Sequence, residues 1–466
     1  MELRDKKVAV LGLGVENQSL THFLIKSGAI VTVCDINKKL KKTRGIKNWR
    51  PGSCYLKNLT DFDIVFRTPG LPLSTPEIVK AKKKGVIISS ATKLFFDLCP
   101  AKILGVTGTK GKGTCASLIK EMLIKSQKSK IFLGGNIGTP AFSFLEKIKP
   151  QDLVVLELSS FQLEDLEKSP HIAVVLNVTS DHLDYHKSKS GYIKAKENIV
   201  FYQKKSDFAV INMDYLTSYK FAAQTQGKVF WFSTKKSIDH GCFINRNEEI
   251  ILRIENKDYL ICHQNDIKLL GAHNLENVCA AVIASYLAGA NIKNIRKIIK
   301  RFKGLEHRLE IVARKNNITY INDSYSTTPE TTIAAIKALG IDIKKANKII
   351  LICGGKSKGG DYTKLADVIL KSSIKSVILI GEMAQKIERK IRNPKFEIRN
   401  KSKFPKFKVK NLGFAKMTEI VKTAQKESEP GDVVLFSPGC ASFDMFKNAS
   451  DRGRQFKEIV KVLSKK

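Results

Sequence analysis

Short apolar runs alternate with segments of helical periodicity along nearly the whole chain. Lys7–Leu11 is apolar and β-rich, and Leu20, Phe23 and Leu24 then recur at the spacing of one helix face. Ala29–Cys34 follows as a second apolar run. This order predicts a βαβ unit, whose two strands pair in parallel through a right-handed crossover.

The same pattern restarts twice. Lys102–Val106 predicts a strand that leads through a glycine-rich turn into a helix at Thr114–Lys125, and Ile318–Ile321 predicts a strand before a helix at Thr331–Leu339. We therefore predict three α/β domains, spanning residues 1–95, 96–302 and 303–466. The remaining predicted strands are Leu153–Leu158, Ala173–Val178, Phe208–Asn212, Ile349–Cys353, Ser376–Ile380 and Asp432–Phe436, and the remaining strong helix is Asn274–Ala288.

Composition narrows the class of protein. The 466 residues are 43% hydrophobic, which is typical of a globular chain with more than one core. The apolar runs are strand-sized and the N-terminus is charged, so we expect neither a membrane span nor a signal peptide, and a cytoplasmic location. The 9 cysteines form no C-x-x-C pair, which argues against a zinc or redox site and for reduced core thiols.

The formal net charge of +37 is unusual. The lysines are spread along the chain and no aromatic-basic motif accompanies them, so we expect no nucleic-acid partner. A positive field would favour anionic substrates.

The sharpest local motif is Gly105-Val-Thr-Gly-Thr-Lys-Gly-Lys-Gly-Thr114. Because it follows a predicted strand and opens a predicted helix, its backbone N–H groups can point at phosphate oxygens. Lys112 would reach the outer phosphates. Gly113 stands where the Mg²⁺-binding hydroxyl usually follows the lysine, so Thr114 is the predicted hydroxyl ligand. The alternative is a glycine-rich turn with a chance Gly-Lys pair.

Three later segments carry further candidates. Glu157 ends a predicted strand, His182 lies between two aspartates, and Lys196 lies in a predicted helix. Each has an ordinary alternative, namely a solvent-facing strand-end glutamate, a loop histidine and an exposed helix face. A carboxylate at the carboxyl end of a strand is nevertheless placed where α/β sheets bind ligands.

Taken in order, L-E-L-S-S-F-Q-L, N-V-T-S-D-H-L-D and Y-I-K-A-K-E-N-I resemble motifs of the Mur ligase family, as does the loop T-G-T-K-G-K-G-T. The resemblance implies a Rossmann-like N-terminal domain, a central P-loop ATPase domain with a mostly parallel sheet and a Rossmann-like C-terminal domain. It implies ATP and Mg²⁺ as cofactors, and addition of D-glutamate to UDP-N-acetylmuramoyl-L-alanine through an acyl phosphate. It also implies that Lys196 is carbamylated by CO2 and so becomes an anionic metal ligand.

The resemblance also assigns roles to individual residues. The catalytic residues would be Lys112, Lys196 and His182, and the metal ligands Thr114, Glu157, His182 and Lys196. The ATP-binding residues would be Gly108, Thr109, Lys110, Gly111, Lys112, Gly113, Thr114, Asn274, Asn277, Arg308 and Asp323. The substrate-binding residues would be Val15, Glu16, Asp35, Thr68, Gly70, Asn136, Ser159, Thr327, Lys358 and Ser442.

Two departures from the family pattern keep alternatives open. Gly113 resembles the G-K-G-S loop of folylpolyglutamate synthases, and Tyr325 stands where many members have lysine. A folylpolyglutamate synthase-like ligase, an L-glutamate-adding variant and a non-catalytic nucleotide-binding protein are therefore the competing interpretations. We expect a monomer without a membrane partner.

Overall fold

The computed structural model describes residues 2–40, 46, 48–126, 129–179, 181–342, 348–357, 359–392 and 407–463. The chain divides into two compact units, the first comprising residues 1–267 and 275–301 and the second residues 268–274 and 302–466. Three separate sheets, one per α/β domain, organise these units.

The first unit contains fourteen strands in two sheets and the helices that cover them. The strands are β1 Lys7–Leu11, β2 Ile30–Asp35, β3 Asn48–Pro51, β4 Ile64–Arg67, β5 Ile87–Ser90, β6 Lys102–Thr107, β7 Ile131–Gly135, β8 Leu153–Glu157, β9 Ile172–Val175, β10 Phe208–Asn212, β11 Lys228–Ser233, β12 Gly241–Ile244, β13 Glu249–Ile254 and β14 Lys257–His263. The helices are α1 Val15–Lys26, α2 Pro76–Lys83, α3 Ala91–Leu98, α4 Lys112–Ile124, α5 Ser160–Leu163, α6 Leu183–His186, α7 Lys189–Phe201, α8 Leu216–Tyr219, α9 His273–Leu287 and α10 Ile292–Arg301.

The N-terminal sheet has five parallel strands in the order β3-β2-β1-β4-β5. The predicted βαβ unit is confirmed, since β1 pairs in parallel with β2 from Lys7 opposite Ile30 to Leu11 opposite Cys34. Central strand β1 is buried after its first residue. A parallel strand that is buried on both faces has a continuous apolar sequence. This is why β1 could be predicted from the sequence.

The central sheet has nine strands in the order β14-β13-β12-β11-β10-β9-β6-β8-β7. Strands β6 to β12 are mutually parallel, as predicted for this domain. Helix α9 supplies part of the core, and its Ala280, Ala281, Ile283 and Ala284 are fully buried as predicted. Strand β9 ends at Val175, three residues before the predicted end.

An antiparallel extension at the edge of this sheet was missed from the sequence. Strands β12, β13 and β14 pair antiparallel. Glu255 and Asn256 both have positive φ, 49° and 59°, at the turn between β13 and β14. Two positive φ values are the signature of a type I′ hairpin, and asparagine tolerates this conformation well.

The second unit contains one six-stranded sheet in the order β15-β16-β20-β17-β18-β19. All its neighbouring strands are parallel except β15 and β16. Its strands are β15 Glu310–Lys315, β16 Ile318–Asn322, β17 Ile349–Gly354, β18 Ile374–Ile380, β19 Lys408–Gly413 and β20 Val433–Phe436. Its described helices are α11 Pro329–Asp342, α12 Thr363–Lys371, α13 Ala384–Ile391, α14 Met417–Glu427 and α15 Ala449–Val462.

The nine cysteines are free thiols. Seven of them are buried, as expected of core thiols, whereas this expectation is wrong for Cys54, which is exposed. Over the described part of the chain, none of the helices combines the length and apolar character that a bilayer crossing requires.

Candidate nucleotide and metal site

Three candidate segments meet at one edge of the central sheet. Strand β6 lies between β8 and β9, and all three run parallel. The glycine-rich loop follows β6, Glu157 is the last residue of β8, and the segment with His182 follows β9. Because the carboxyl ends of parallel strands share an edge, the fold brings these predicted residues to the same side of the sheet.

The glycine-rich loop is shaped by one backbone conformation and two neighbouring asparagines. Gly111 precedes α4 with φ +87°, which a side chain would disfavour, and a Cβ there would overlap the Asn277 side chain. Asn177 fixes the loop from the other side, since its carbonyl accepts from Thr109 N (2.6 Å) and its Oδ1 accepts from Lys110 N (3.1 Å). Helix α4 begins at Lys112. Its first N–H groups lack intrahelical partners and can therefore bind an anion.

The Lys112 side chain folds back over this loop. Its Nζ donates to Gly108 O (3.1 Å) and Thr109 O (3.3 Å). Gly113 and Thr114 form the first turn of α4 and are partly exposed. The ammonium group and the helix N-terminus are thus next to each other, which is the arrangement needed to neutralise a polyphosphate.

Lys196 lies in α7 and is fully buried. Its Nζ donates to Thr107 Oγ1 (3.0 Å), and that hydroxyl donates to Leu158 O (2.9 Å). Burial, and then the positive charge of Lys112, lower the pKa of Lys196 well below 10.5, although the carboxylates of Asp181 and Glu157 oppose the shift. The exposed-face interpretation of this lysine is wrong, because its side chain is buried.

Glu157 is buried and held by a neighbouring turn. Its Oε1 accepts from Asn136 Nδ2 (2.7 Å), and its carbonyl accepts from Asn136 N (2.9 Å). Gly135 has φ +91° and contacts the Glu157 backbone so closely that a Cβ would overlap it. The solvent-facing interpretation of Glu157 is wrong. Asn136, predicted to bind substrate, here orients the carboxylate.

His182 is more open than the other candidates. Its side chain is 48% exposed, its Nε2 lies 3.8 Å from Asp181 Oδ2, and its ring packs 4.7 Å from that of Phe161. Its φ of 50° is left-handed. Such a conformation is uncommon in a non-glycine residue, and histidine is among the residues that adopt it more often than most.

The predicted metal ligands include few side chains of the types that usually bind metal ions. Across the residues that the structure describes, no three His, Cys, Asp or Glu side chains cluster as a metal site. The predicted set contains only two of that kind, Glu157 and His182. Together with the Thr114 hydroxyl, a carbamate on Lys196 would supply the oxygen donors that a hard cation prefers, so these residues fit Mg²⁺ only as a mixed set completed by phosphate or water.

The predicted uridine-side residues lie around the start of α1 and the end of β2. Asp35 accepts from Leu13 N (2.7 Å) and Asn37 N (2.8 Å), so its carboxylate shapes the turn after β1. Val15 is 71% exposed, whereas Thr68 packs its methyl against Gly12. Gly70 lies in the turn after β4.

The Glu16 side chain connects the N-terminal domain to the central domain. Its Oε1 accepts from Thr92 Oγ1 (3.2 Å) and from Gln162 Nε2 (3.3 Å), and burial raises its pKa. Gln162 also completes a capping box with Ser159 at the start of α5. Two predicted substrate residues, Glu16 and Ser159, therefore belong to one hydrogen-bond chain.

A buried arginine that sequence reasoning missed joins the same two domains. Arg67 is fully buried and its Nε lies 3.0 Å from Asp165 Oδ2. It also donates to Phe161 O (2.9 Å) and to Tyr185 Oη (3.2 Å). The one sequence feature that could have identified Arg67 is its charge next to the apolar residues of β4, because arginine is rarely buried without a partner.

The second unit holds the other predicted ATP residues. Asp323 is buried, accepts from Ser437 Oγ (2.8 Å), Leu309 N (3.1 Å) and Ser326 Oγ, and has its pKa raised to about 6 by burial. Arg308 lies 5.4 Å from the ring centroid of Tyr325, whose hydroxyl contacts Ser450 Oγ at 2.6 Å. Tyr325 thus holds an arginine through its ring where many family members have lysine.

The remaining predicted residues are placed as follows. Asn274 is buried and donates to Leu270 O (2.7 Å) in the second unit, whereas Asn277 belongs to the first unit beside Gly111. Ser442 is buried and its carbonyl accepts from Phe446 N (2.9 Å). Thr327 is half-buried in the turn before α11. Lys358 lies outside the described residues.

The chain matches three family models in succession. Residues 6–90 match the Mur ligase MurD-like N-terminal domain, residues 106–285 the Mur ligase middle domain, and residues 307–440 the Mur ligase glutamate ligase domain. The chain belongs to the Mur ligase family. This Mur ligase is 41% identical to the UDP-N-acetylmuramoylalanine–D-glutamate ligase of Acetivibrio thermocellus, over 98% of this chain and 97% of the relative. It is 38% identical to the enzyme of the same name from Symbiobacterium thermophilum, over 99% of both chains.

Solved structures agree with this Mur ligase at the level of the fold. It superposes on the UDP-N-acetylmuramate-alanine ligase of Thermotoga maritima with a TM-score of 0.59 and 19% identity, covering 98% of this chain and 100% of the other. The MurF ligase of the same organism, solved with ADP, gives a TM-score of 0.57 at 16% identity, with 99% and 97% covered. These matches support the three-domain α/β architecture.

Proposed function

We propose that this Mur ligase adds D-glutamate to UDP-N-acetylmuramoyl-L-alanine at the expense of ATP. The observation that carries the proposal is the edge of the central sheet, where the glycine-rich loop, Lys112 at the start of α4, Glu157 at the end of β8 and the buried amine of Lys196 lie. The names of the relatives supply the substrate class, and they favour D-glutamate over the folylpolyglutamate and L-glutamate alternatives.

ATP is the phosphoryl donor in this proposal. The loop from Gly108 to Thr114 would bind the phosphates, and the Lys112 ammonium would neutralise charge on the transferring group. Asn277, beside Gly111, is placed to contact the nucleotide. Asn274, Arg308 and Asp323 keep the ATP roles that the family resemblance implies.

Mg²⁺ would be held by Thr114, Glu157, His182 and a carbamylated Lys196. When bound, it would stabilise negative charge on phosphate oxygens. The lowered pKa of Lys196 supports the carbamate, because only a neutral amine attacks CO2. Asn136 would keep the Glu157 carboxylate oriented toward this site.

The two substrates are assigned to different parts of the chain. Val15, Glu16, Asp35, Thr68 and Gly70 are the proposed contacts of the UDP-sugar, together with Asn136 and Ser159 in the central domain. Thr327, Lys358 and Ser442 are the proposed contacts of the incoming glutamate. The three-domain division at residues 1–95, 96–302 and 303–466 assigns one substrate to each domain.

The reaction would proceed by two displacements. An oxygen of the alanyl carboxylate attacks the terminal phosphorus of ATP, so a new P–O bond forms and the bond to ADP breaks. The glutamate ammonium first loses one proton, and the resulting amine attacks the acyl carbon to give a tetrahedral intermediate. The nitrogen then loses a second proton and the C–O bond to phosphate breaks, which leaves the amide and inorganic phosphate. Fixed positive charge at Lys112 lowers the barrier of the first step because charge builds up on the phosphoryl oxygens.

A matrix of omitted substrates tests the proposal. Purified protein is assayed for ADP release with ATP, Mg²⁺, UDP-N-acetylmuramoyl-L-alanine and D-glutamate, and then with each one left out. L-glutamate replaces D-glutamate in one arm and a folate replaces the UDP substrate in another. We expect rapid release only with the complete D-glutamate mixture.

Each alternative has its own outcome in this matrix. Release with the folate would identify a folylpolyglutamate synthase-like ligase, and equal release with both glutamate enantiomers would exclude D-specificity. An inert protein that still binds ATP would support the non-catalytic interpretation.

A further inference from the structure

Arg452 is a fully buried cation in the second unit. Its Nε donates to Ser324 Oγ (3.1 Å) and its Nη2 to Ser324 O (2.8 Å). Its Nη1 donates to Cys440 O (3.1 Å) and Ala441 O (3.2 Å). Burial lowers its pKa to about 10, so the guanidinium remains charged at neutral pH. A buried charge is costly even when it is hydrogen-bonded, and its retention here requires a reason.

The contacts of Arg452 join loops to which the proposed function assigns substrate contacts. Ser324 lies three residues before Thr327, and Ala441 directly precedes Ser442. Ala441 also exchanges two backbone hydrogen bonds with Lys356 (2.9 and 3.0 Å), which ties in the loop after β17. The guanidinium therefore joins two separate segments of the chain directly, and a third is tied to them through Ala441.

The positive charge of Arg452 has no carboxylate in contact within the described part of the chain. Asp444 is close enough to affect its pKa, yet Asp444 Oδ2 accepts from Glu382 N (3.0 Å) and its buried Oδ1 has no hydrogen-bond partner in that part. The groups that Arg452 does contact are three carbonyls and one hydroxyl, all neutral. No full negative charge therefore neutralises the guanidinium by direct contact, so its positive charge can act on an anion nearby.

We propose that Arg452 is a positioning residue for the amino-acid substrate, an inference that rests on the proposed function. It fixes the Ser442 loop to the Thr327 loop, and its charge, which no carboxylate in the described residues contacts, favours a dicarboxylate between them. The charge acts on glutamate and not on the UDP-sugar, whereas the contacts with Ser324 also adjoin Asp323, an ATP residue of the proposed function.

Steady-state kinetics of two substitutions and one control test this. In Arg452→Met we expect the KM for D-glutamate to rise about tenfold, equal to about 1.4 kcal/mol. The KM for the UDP substrate should stay within about twofold of wild type, because the guanidinium does not act on that ligand. The KM for ATP should rise less than the KM for D-glutamate, because Arg452 reaches the ATP residue Asp323 only through Ser324. Arg452→Lys keeps the charge and should show a smaller rise. Arg454→Met, at an exposed neighbouring arginine that pairs with Asp451, should match wild type.

The substitution Asp444→Asn distinguishes a charge effect from a purely structural effect, because only a charge effect should lower the KM for D-glutamate. Asp444→Asn removes the nearby negative charge but keeps an oxygen acceptor for Glu382 N, so we expect the KM for D-glutamate to fall. An unchanged glutamate KM in folded Arg452→Met, or an equal rise in all three KM values, would overturn the proposal. If Arg452→Met does not fold, an unchanged or higher glutamate KM in Asp444→Asn overturns it. Failure of the proposed function would instead appear as inactivity of the wild-type enzyme.

Discussion

Replacing Lys196 with methionine separates the folding cost of this lysine from its part in the reaction. The amine is buried and makes one hydrogen bond, to Thr107 Oγ1 at 3.0 Å. Methionine has a similar length and volume, so the packing of α7 should survive. We expect turnover to fall by about 10²–10³, the effect of removing one preorganised electrostatic group.

The free energy of unfolding of Lys196→Met should change little or rise, whereas its turnover falls. The substitution loses about 1 kcal/mol for the hydrogen bond but removes the burial of an ionisable amine. Because the pKa of Lys196 is lower in the folded chain than its ordinary 10.5, the folded state binds fewer protons between the two values. The free energy of unfolding of the wild type therefore rises with pH across that window. At neutral pH the variant should be within about 1 kcal/mol of wild type or more stable, and this advantage should shrink toward pH 10.5.

ADP release in buffer that contains CO2 measures the effect on turnover, and denaturant unfolding in CO2-free buffer measures the effect on stability. Lys194→Met is the matched control, since Lys194 lies in the same helix and is exposed. It should alter neither quantity. Turnover of Lys196→Met within about threefold of wild type, against the expected loss of about 10² or more, would refute the reasoning about the site.

Three other predictions concern separate features. Arg67→Met breaks a buried ion pair with Asp165 (3.0 Å) and should cost about 3–5 kcal/mol in the free energy of unfolding, measured by chemical denaturation. Asp323 has its pKa raised from 3.8 to about 6, so the stability it contributes is complete below 3.8 and is lost as pH rises through about 6. Asp323→Asn should remove about 3 kcal/mol of that pH dependence, and an unchanged profile would contradict it. Tyr325→Ala removes the ring beside Arg308 and should raise the KM for ATP about two- to fivefold, whereas Tyr325→Phe keeps the ring and should not.

The parallel parts of the fold could be predicted because their strands are buried on both faces. Strand β1 and strand β17 each read as an unbroken apolar run, and a helical period follows each. The antiparallel additions were missed. Their turns depend on positive φ at Glu255-Asn256 and Asn316-Asn317, and only the asparagines hinted at them.

The sequence located the residues of the candidate site, but it did not show which residues contact one another there. Glycine spacing located the phosphate loop, whereas nothing local indicated that Asn177 would fix it. Lys196 looked like an exposed helix position because its burial arises from packing against β6, far away in sequence. Arg67 and Arg452 were missed for the same reason, since their partners are assembled only by the tertiary fold.

The central claim is that this Mur ligase activates a carboxylate by phosphorylating it. The most direct measurement uses UDP-N-acetylmuramoyl-L-alanine with a heavy oxygen isotope in its terminal carboxylate. After turnover with ATP and D-glutamate, the released inorganic phosphate is analysed by mass spectrometry. We expect one heavy oxygen to move from the carboxylate into the phosphate for each amide bond formed. Amide formation with unlabelled phosphate would contradict it.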